Sequence, residues 1–333
     1  MRIDAYTHLF PSRYFQRMQE LVTNKGAIKR WLNLPTLWDV DARRKMVDSF
    51  GDYQQVLANS MPPLEFIAGP DKTPELARLA NDEFAELVAK YSDQFPAFIA
   101  SLPMNNPDAA VEEATRAITQ LGARGVQIFT NVNDRPLDSP EYLAIFETMA
   151  KHDLPIWLHP TRGPGFTDYK AEKKSKYEIW WTFGWPYETS AAMSHIVFSQ
   201  MFEKLPNLKI ITHHLGAMIP YFEGRVGPGW DQLGSRTDDE DYEGLLKSMK
   251  KRPIDYFKMF YADTALFGSA AGTECGLKFF GADKCVFASD CPFDPEGGYE
   301  FIRETIRVLN ELDISEPDRK KLFEGNTRRL LKL

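Results

Sequence analysis

Six histidines are few enough to weigh one by one, and four of them stand where short apolar runs end. His8 closes the run Ile3 to His8, His159 closes Pro155 to His159, and His213 with His214 closes Lys209 to His213. Asp290 follows the run Cys285 to Ser289 in the string FASDCPF. Several imidazoles with one carboxylate suit Zn²⁺ or another divalent ion with a position left open for water or substrate. A single histidine at such a place is more often a hydrogen-bonded structural residue, but agreement among four run ends favours a metal or acid–base site. His152, at a helix end, and His195, inside a helical stretch, read as structural. Cys291 lacks an evident activating partner and reads as packing.

Such residues lie far apart in the chain, so the elements that carry them must converge. Eight apolar or β-branched runs recur: Ile3 to His8, Gln55 to Ala58, Phe95 to Leu102, Gly125 to Phe129, Pro155 to His159, Lys209 to His213, Phe260 to Asp263 and Cys285 to Ser289. Helical spacing fills the intervals, as in Leu76, Ala80, Phe84 and Leu87 after Thr73-Pro74, or Val111, Ala114, Ile118 and Leu121 before Gly122. Eight strands alternating with helices predict an α/β fold, a (β/α)8 TIM barrel, in which catalytic groups gather at the carboxyl ends of different strands. An open doubly wound sheet is the rival, and no GxGxxG or Walker loop supports it. The expected organisation is one barrel domain over residues 1–333. Long loops, about 10–38 and 163–188, follow strands and so overhang the catalytic face; the second holds the Trp180/Trp181 pair, read either as lid or as loop anchor.

Composition narrows the function further. The 333 residues carry 40 Lys+Arg against 47 Asp+Glu, a net charge of −7, and that balance lacks the basic footprint of a nucleic-acid binder. No stretch is apolar enough to span a membrane, and the start MRIDAYTHLF has neither a signal-peptide core nor an Arg-rich transit helix. Three cysteines, Cys275, Cys285 and Cys291, form no CxxC and read as reduced thiols of a cytoplasmic protein.

The ordered motifs IDAYTH, the Arg43 helix leading to QQVLA, LPIWLHP, KIITHHLGAMIPYFEGR, KRPIDYFKMFYADTA, FASDCPFD and EGNTRRLL run through nearly the whole chain. In order and spacing the sequence resembles the amidohydrolase-2 group, relatives of aminocarboxymuconate-semialdehyde decarboxylase and of the γ-resorcylate and 5-carboxyvanillate decarboxylases. The resemblance implies a metal-containing (β/α)8 barrel, with His8, His159 and Asp290 matching metal ligands and His214 matching the acid–base histidine. His213 stands one residue early and takes no role. Arg43 and Arg225 match arginines that grip a substrate carboxylate, and Arg225 in that group reaches across a dimer interface, which implies a homodimer. The sequence departs from the group at Tyr6, where HxH or a Glu is usual. A phenol titrates near 10 and is a poor ligand, so Tyr6 is expected to stay neutral and to hydrogen-bond a metal-bound water or the substrate.

The expected function is therefore metal-dependent, non-oxidative decarboxylation of a hydroxylated aromatic or conjugated unsaturated carboxylic acid. Arg43, Arg225 and Trp181 would meet the substrate, His214, Asp290 and Tyr6 would serve the chemistry, and one divalent metal, Zn²⁺ first and Mn²⁺ second, would be the cofactor. The alternative enzyme is a hydrolase of a lactone, ester or amide using metal-bound hydroxide, and a non-catalytic reading is a metal-poor scaffold barrel.

Overall fold

The computed structural model describes residues 1–22 and 25–333. Eight parallel strands form its centre: β1 (Arg2–His8), β2 (Tyr53–Ala58), β3 (Ala97–Phe98 and Ala100–Ser101), β4 (Val126–Phe129), β5 (Ile156–His159), β6 (Ile210–Thr212), β7 (Tyr261–Asp263) and β8 (Cys285–Val286). Each of the eight predicted runs overlaps one of them, with β1 and β2 starting one and two residues earlier than expected. The strands pair in sequence order, with β3 joining two sheets: Ala97 sits beside Val56 of β2, and Ala100 beside Val126 of β4. Backbone bonds return β8 to β1, from Ala5 N–H to the Phe287 carbonyl (2.8 Å) and from His8 N–H to that of Cys291 (2.9 Å). The sheet thus closes as a TIM barrel, and all strand carboxyl ends open on one face.

Burial explains the closure. Ile3, Val56, Ile99, Trp157, Ile211 and Val286 form one buried cluster drawn from strands around the whole barrel. Each such side chain contributes roughly 1.5–3 kcal/mol by leaving water. A larger cluster lies between strands and surrounding helices, including Thr73–Lys90 and Pro107–Gln120.

Of the two long connections, the first packs Phe10, Tyr14 and Met18 against Leu76, Ala77 and Ala80 of the helix Thr73–Lys90. Its Arg30 donates to the Phe293 carbonyl, over the loop that follows β8. The second leads into the helix Gly184–Phe198, where Trp185 donates to the Arg162 carbonyl (3.2 Å) and sets its ring against His159, 5.8 Å between centroids. Both connections therefore reach the face where the strands end. Among the described residues no helix is long and apolar enough to cross a membrane.

Candidate metal centre

His8 at the end of β1 and His159 at the end of β5 arrive by ordinary strand geometry. His213 and His214 need a turn, because neighbours on an extended chain point to opposite faces. His213 remains extended, whereas His214 and Leu215 take left-handed φ of 53° and 52°, followed by Gly216 at 77°. A Cβ at Gly216 would lie 2.6 Å from the Phe280 ring, so only glycine closes this turn. The two imidazoles are thereby brought together, with centroids 3.7 Å apart. Asp290 also sits at a left-handed φ, 62°, a conformation kept in native folds where the surroundings enforce it.

One ligand atom from each of His8, His159, His213 and Asp290 lies within 4.8 Å of the others, and all four residues are buried. The hydrogen bonds behind them settle which nitrogens are free. His8 Nδ1 lies 2.8 Å from the Asn59 carbonyl, His159 Nδ1 2.7 Å from that of Pro160, and His213 Nδ1 2.5 Å from Asp263 Oδ2. These partners accept, so each Nδ1 carries a proton and, in the neutral imidazole, each Nε2 has the lone pair. His8 Nε2 stands 3.0 Å and His213 Nε2 3.4 Å from Asp290 Oδ1, and none of the three atoms has a hydrogen-bond partner among the described residues. Buried lone pairs aimed at one another and at a carboxylate oxygen are costly alone and are what a divalent cation requires. Burial opposes charge on His213, but Asp263 and Asp290 outweigh it and push the imidazole up to about 10, so a divalent ion on Nε2 takes the place of a proton there. Burial likewise opposes ionisation of Asp290, yet chiefly His213 holds it well below the usual carboxylate range. Burial, then His213 and His8, hold His159 well below the imidazole range, which keeps it an acceptor. The residues present fit a divalent ion.

His213, passed over in the sequence reading, belongs to this cluster; its bond to Asp263 orients it, and Asp263 Oδ1 also accepts from the His214 and Ala265 N–H groups (3.0 and 3.1 Å). The signal for both was a carboxylate and a histidine at the ends of adjacent strands β7 and β6. His214 lies beside the cluster, its Nε2 3.7 Å from Asp290 Oδ2 and its buried Nδ1 without a hydrogen-bond partner among the described residues. Phe129, Trp185, Phe293 and Phe267 set rings 5.2–5.8 Å from these histidines and give the site apolar walls.

Three expectations need correction or relocation. Arg43 is wholly buried, and its guanidinium donates to the Thr36 carbonyl (2.7 Å), the Gln55 side chain (3.0 Å) and the His8 carbonyl, which leaves no fork for a substrate. Trp181 is not against the cluster: it bonds Glu178 (3.1 Å) and touches Trp185, which is the ring that meets His159. Tyr6 lies among His8, His213 and Trp157, but its hydroxyl donates to Gln127 Oε1 at 2.5 Å and not toward a water or a substrate. Burial, then Asp290 and Asp263, push this phenol well above 10. Tyr6→Phe is thus expected to leave metal affinity nearly unchanged while lowering thermal stability, because Gln127 loses its donor; a loss of affinity above about tenfold in a metal titration would make Tyr6 a ligand. Arg225, by contrast, is exposed and has no carboxylate partner among the described residues.

Comparison with known proteins agrees with this geometry. The profile of the Amidohydro_2 family, described as amidohydrolase, matches residues 3–333. The chain is 32% identical over 302 residues to γ-resorcylate decarboxylase of Rhizobium sp. (strain MTP-10005), covering 88% of this chain and 87% of that one. Among solved structures, 2,6-dihydroxybenzoate decarboxylase complexed with 2,6-dihydroxybenzoate superimposes with a TM-score of 0.80 at 26% identity, over 100% of this chain and 99% of the other. Dihydroxybenzoic acid decarboxylase from Polaromonas sp. JS666, with bound manganese and the inhibitor 2-nitroresorcinol, gives a TM-score of 0.80 at 28% identity, over 100% and 97%.

Proposed function

The chain belongs to the amidohydrolase family, and from that premise we propose that it is a metal-dependent carboxy-lyase releasing CO₂ from a hydroxylated aromatic carboxylic acid. The observation that carries the proposal is the convergence of three imidazole lone pairs and one carboxylate at the open end of the barrel. Its relatives, decarboxylases of dihydroxybenzoates, supply the substrate class. We read the chain as one barrel domain, with Zn²⁺ as the resident ion on its nitrogen-rich donor set and Mn²⁺ as the alternative. His8, His159, His213 and Asp290 would hold the divalent ion, which would supply Lewis acidity toward a substrate oxygen.

The remaining work falls to the chain. The aromatic walls exclude water and favour a flat ring. His214 takes a proton from solvent and, because burial and then His213 disfavour its charge, passes it on to the ring carbon bearing the carboxylate; the bond from that carbon to the carboxylate breaks, CO₂ leaves with the ring restored, and the imidazole returns to its neutral form, to be reprotonated by solvent for the next turnover. Asp290, within reach of His214, stabilises the imidazolium before transfer. Exposed Arg225 is suited to hold a carboxylate in a neighbouring subunit, since guanidinium matches that group's geometry, and we propose a homodimer on this ground. The free cysteines fit a reducing cytoplasm as its compartment.

The test is product analysis. Metal-loaded protein given 2,6-dihydroxybenzoate or a related hydroxybenzoate should release CO₂ and the decarboxylated phenol in equal amounts, and a chelator should stop both. Activity confined to lactones, esters or amides, with all carbon retained, would replace the proposal with hydrolysis. Arg225 has its own check: mixing Arg225→Met chains with inactive His214→Asn chains should restore part of the activity in heterodimers, because one site then has both groups. No recovery in confirmed heterodimers would remove Arg225 from the neighbouring site.

A further inference from the structure

A continuous buried hydrogen-bond chain links the backbone of His8 to the residues on either side of Asp290. At one end Arg43 donates to the His8 carbonyl and to Gln55 Oε1 (3.0 Å). Gln55 Nε2 donates to the Tyr53 hydroxyl (2.9 Å), which donates to Asp4 Oδ2 (2.6 Å). At the other end Ser289 Oγ donates to the same Asp4 oxygen (2.5 Å), and Ser289 N–H to Asp4 Oδ1 (3.0 Å). Ser289 Oγ in turn accepts the N–H of Cys291 (3.2 Å). The two residues that flank Asp290 are therefore both tied, directly or through one hydroxyl, to Asp4. Arg43, Gln55, Tyr53, Asp4 and Ser289 are at most 3% exposed.

The chain has a direction. From Arg43 the donors run through Gln55 and Tyr53 to Asp4, and from Cys291 they run through Ser289 to Asp4 as well, so the buried Asp4 carboxyl is the acceptor on which both arms meet. Hydrogen bonds of this sense polarise one another, and the full set is worth more than its members taken singly. A polar assembly of this kind is an expensive way to fill a core, since apolar residues of similar volume often serve stability as well or better. Its value lies in what it fixes. Asp290 occupies a left-handed φ, and the hydrogen bonds of its neighbours Ser289 and Cys291 fix the backbone on either side of it. His8 is held through its carbonyl on the adjacent strand β1, while its N–H meets the Cys291 carbonyl.

We propose that Asp4, Tyr53, Gln55, Arg43 and Ser289 are positioning residues that set the spacing of His8 and Asp290 and so tune the affinity and geometry of the metal centre. The inference rests on the metal reading given above. It also assigns Arg43 a place behind the ligands in exchange for the substrate role that its burial excludes.

The test is Co²⁺ titration of the metal-free full chain, followed by visible absorption, with thermal unfolding measured in parallel. Asp4→Asn keeps the shape but turns one acceptor into a donor facing N–H or O–H groups, and Ser289→Ala removes the hydroxyl that serves both Asp4 and Cys291. Each should weaken Co²⁺ binding about 10- to 100-fold and alter the absorption band of the bound ion, the effect expected of a lost partner behind a metal ligand. Asn81→Ala is the control: Asn81 is buried and bonded to Ser101 and Glu113, neither of which belongs to the cluster or to the hydrogen-bond chain, and its loss should lower stability while leaving affinity and band unchanged. If Asp4→Asn does not fold, Ser289→Ala and Tyr53→Phe carry the same comparison. Affinity within about twofold of the parent and an unchanged band in the folded variants would overturn the proposal and leave the chain a purely structural feature. A parent that takes up no Co²⁺ would overturn the metal reading and this inference together.

Discussion

Asp290→Ala is expected to remove the bound metal and the activity together. Asp290 supplies the one anionic ligand of the set, and its Oδ1 is the atom on which the Nε2 atoms of His8 and His213 close. Without it three neutral imidazoles must hold a dication in a buried site, where uncompensated charge is costly. The loss of affinity should therefore exceed the roughly 10–100-fold that loss of a hydrogen-bonding partner behind a ligand produces. His159→Ala should act in the same direction, because its lone pair enters from the far side of the barrel. Metal content per chain after dialysis, measured beside CO₂ release, checks both, and full activity in either variant would end the assignment of these ligands.

His214 and His213 should separate cleanly although they are adjacent. His214→Asn is expected to keep the metal and lower turnover about 10²- to 10⁴-fold, the range for a lost general acid or base. His213→Asn is expected to lose metal first and activity with it, since its Nδ1 is spent on Asp263 and its Nε2 faces Asp290. The sequence alone predicts a small effect for His213; the structure reverses that expectation. Metal content of the two variants with turnover of the reloaded proteins decides between the roles. A metal-free His214 variant beside a metal-replete, inactive His213 variant would exchange them.

What could be read in the chain, and what could not, follows from geometry. Strand positions were legible because apolar runs bounded by turns recur at barrel spacing, and a barrel brings their ends together whatever lies between. His8, His159 and Asp290 were legible for the same reason. His213 was not, since strand alternation sends neighbouring side chains apart, and only the left-handed turn from His214 to Gly216 brings both rings to one side. Arg43 was misread because a motif shows that an arginine is present and not where its fork points. Here the fork closes on Thr36, Gln55 and His8. Tyr6 shows the same limit: its chemistry as a poor ligand could be stated from its type, but its partner, Gln127 on β4, lies 121 residues away. Trp185 replaced Trp181 as the ring beside His159 because one turn of a short helix separates the two, and the loop's path decides which one faces inward.

The central claim is that one divalent ion sits among His8, His159, His213 and Asp290. Anomalous diffraction from crystals of the Mn²⁺-loaded protein, recorded at the manganese edge, tests it most directly. The account predicts a single strong peak per chain at coordination distance from His8 Nε2, His159 Nε2, His213 Nε2 and an Asp290 oxygen, with Tyr6 Oη outside coordination distance. A peak bound elsewhere, or none in a fully loaded crystal, would contradict it.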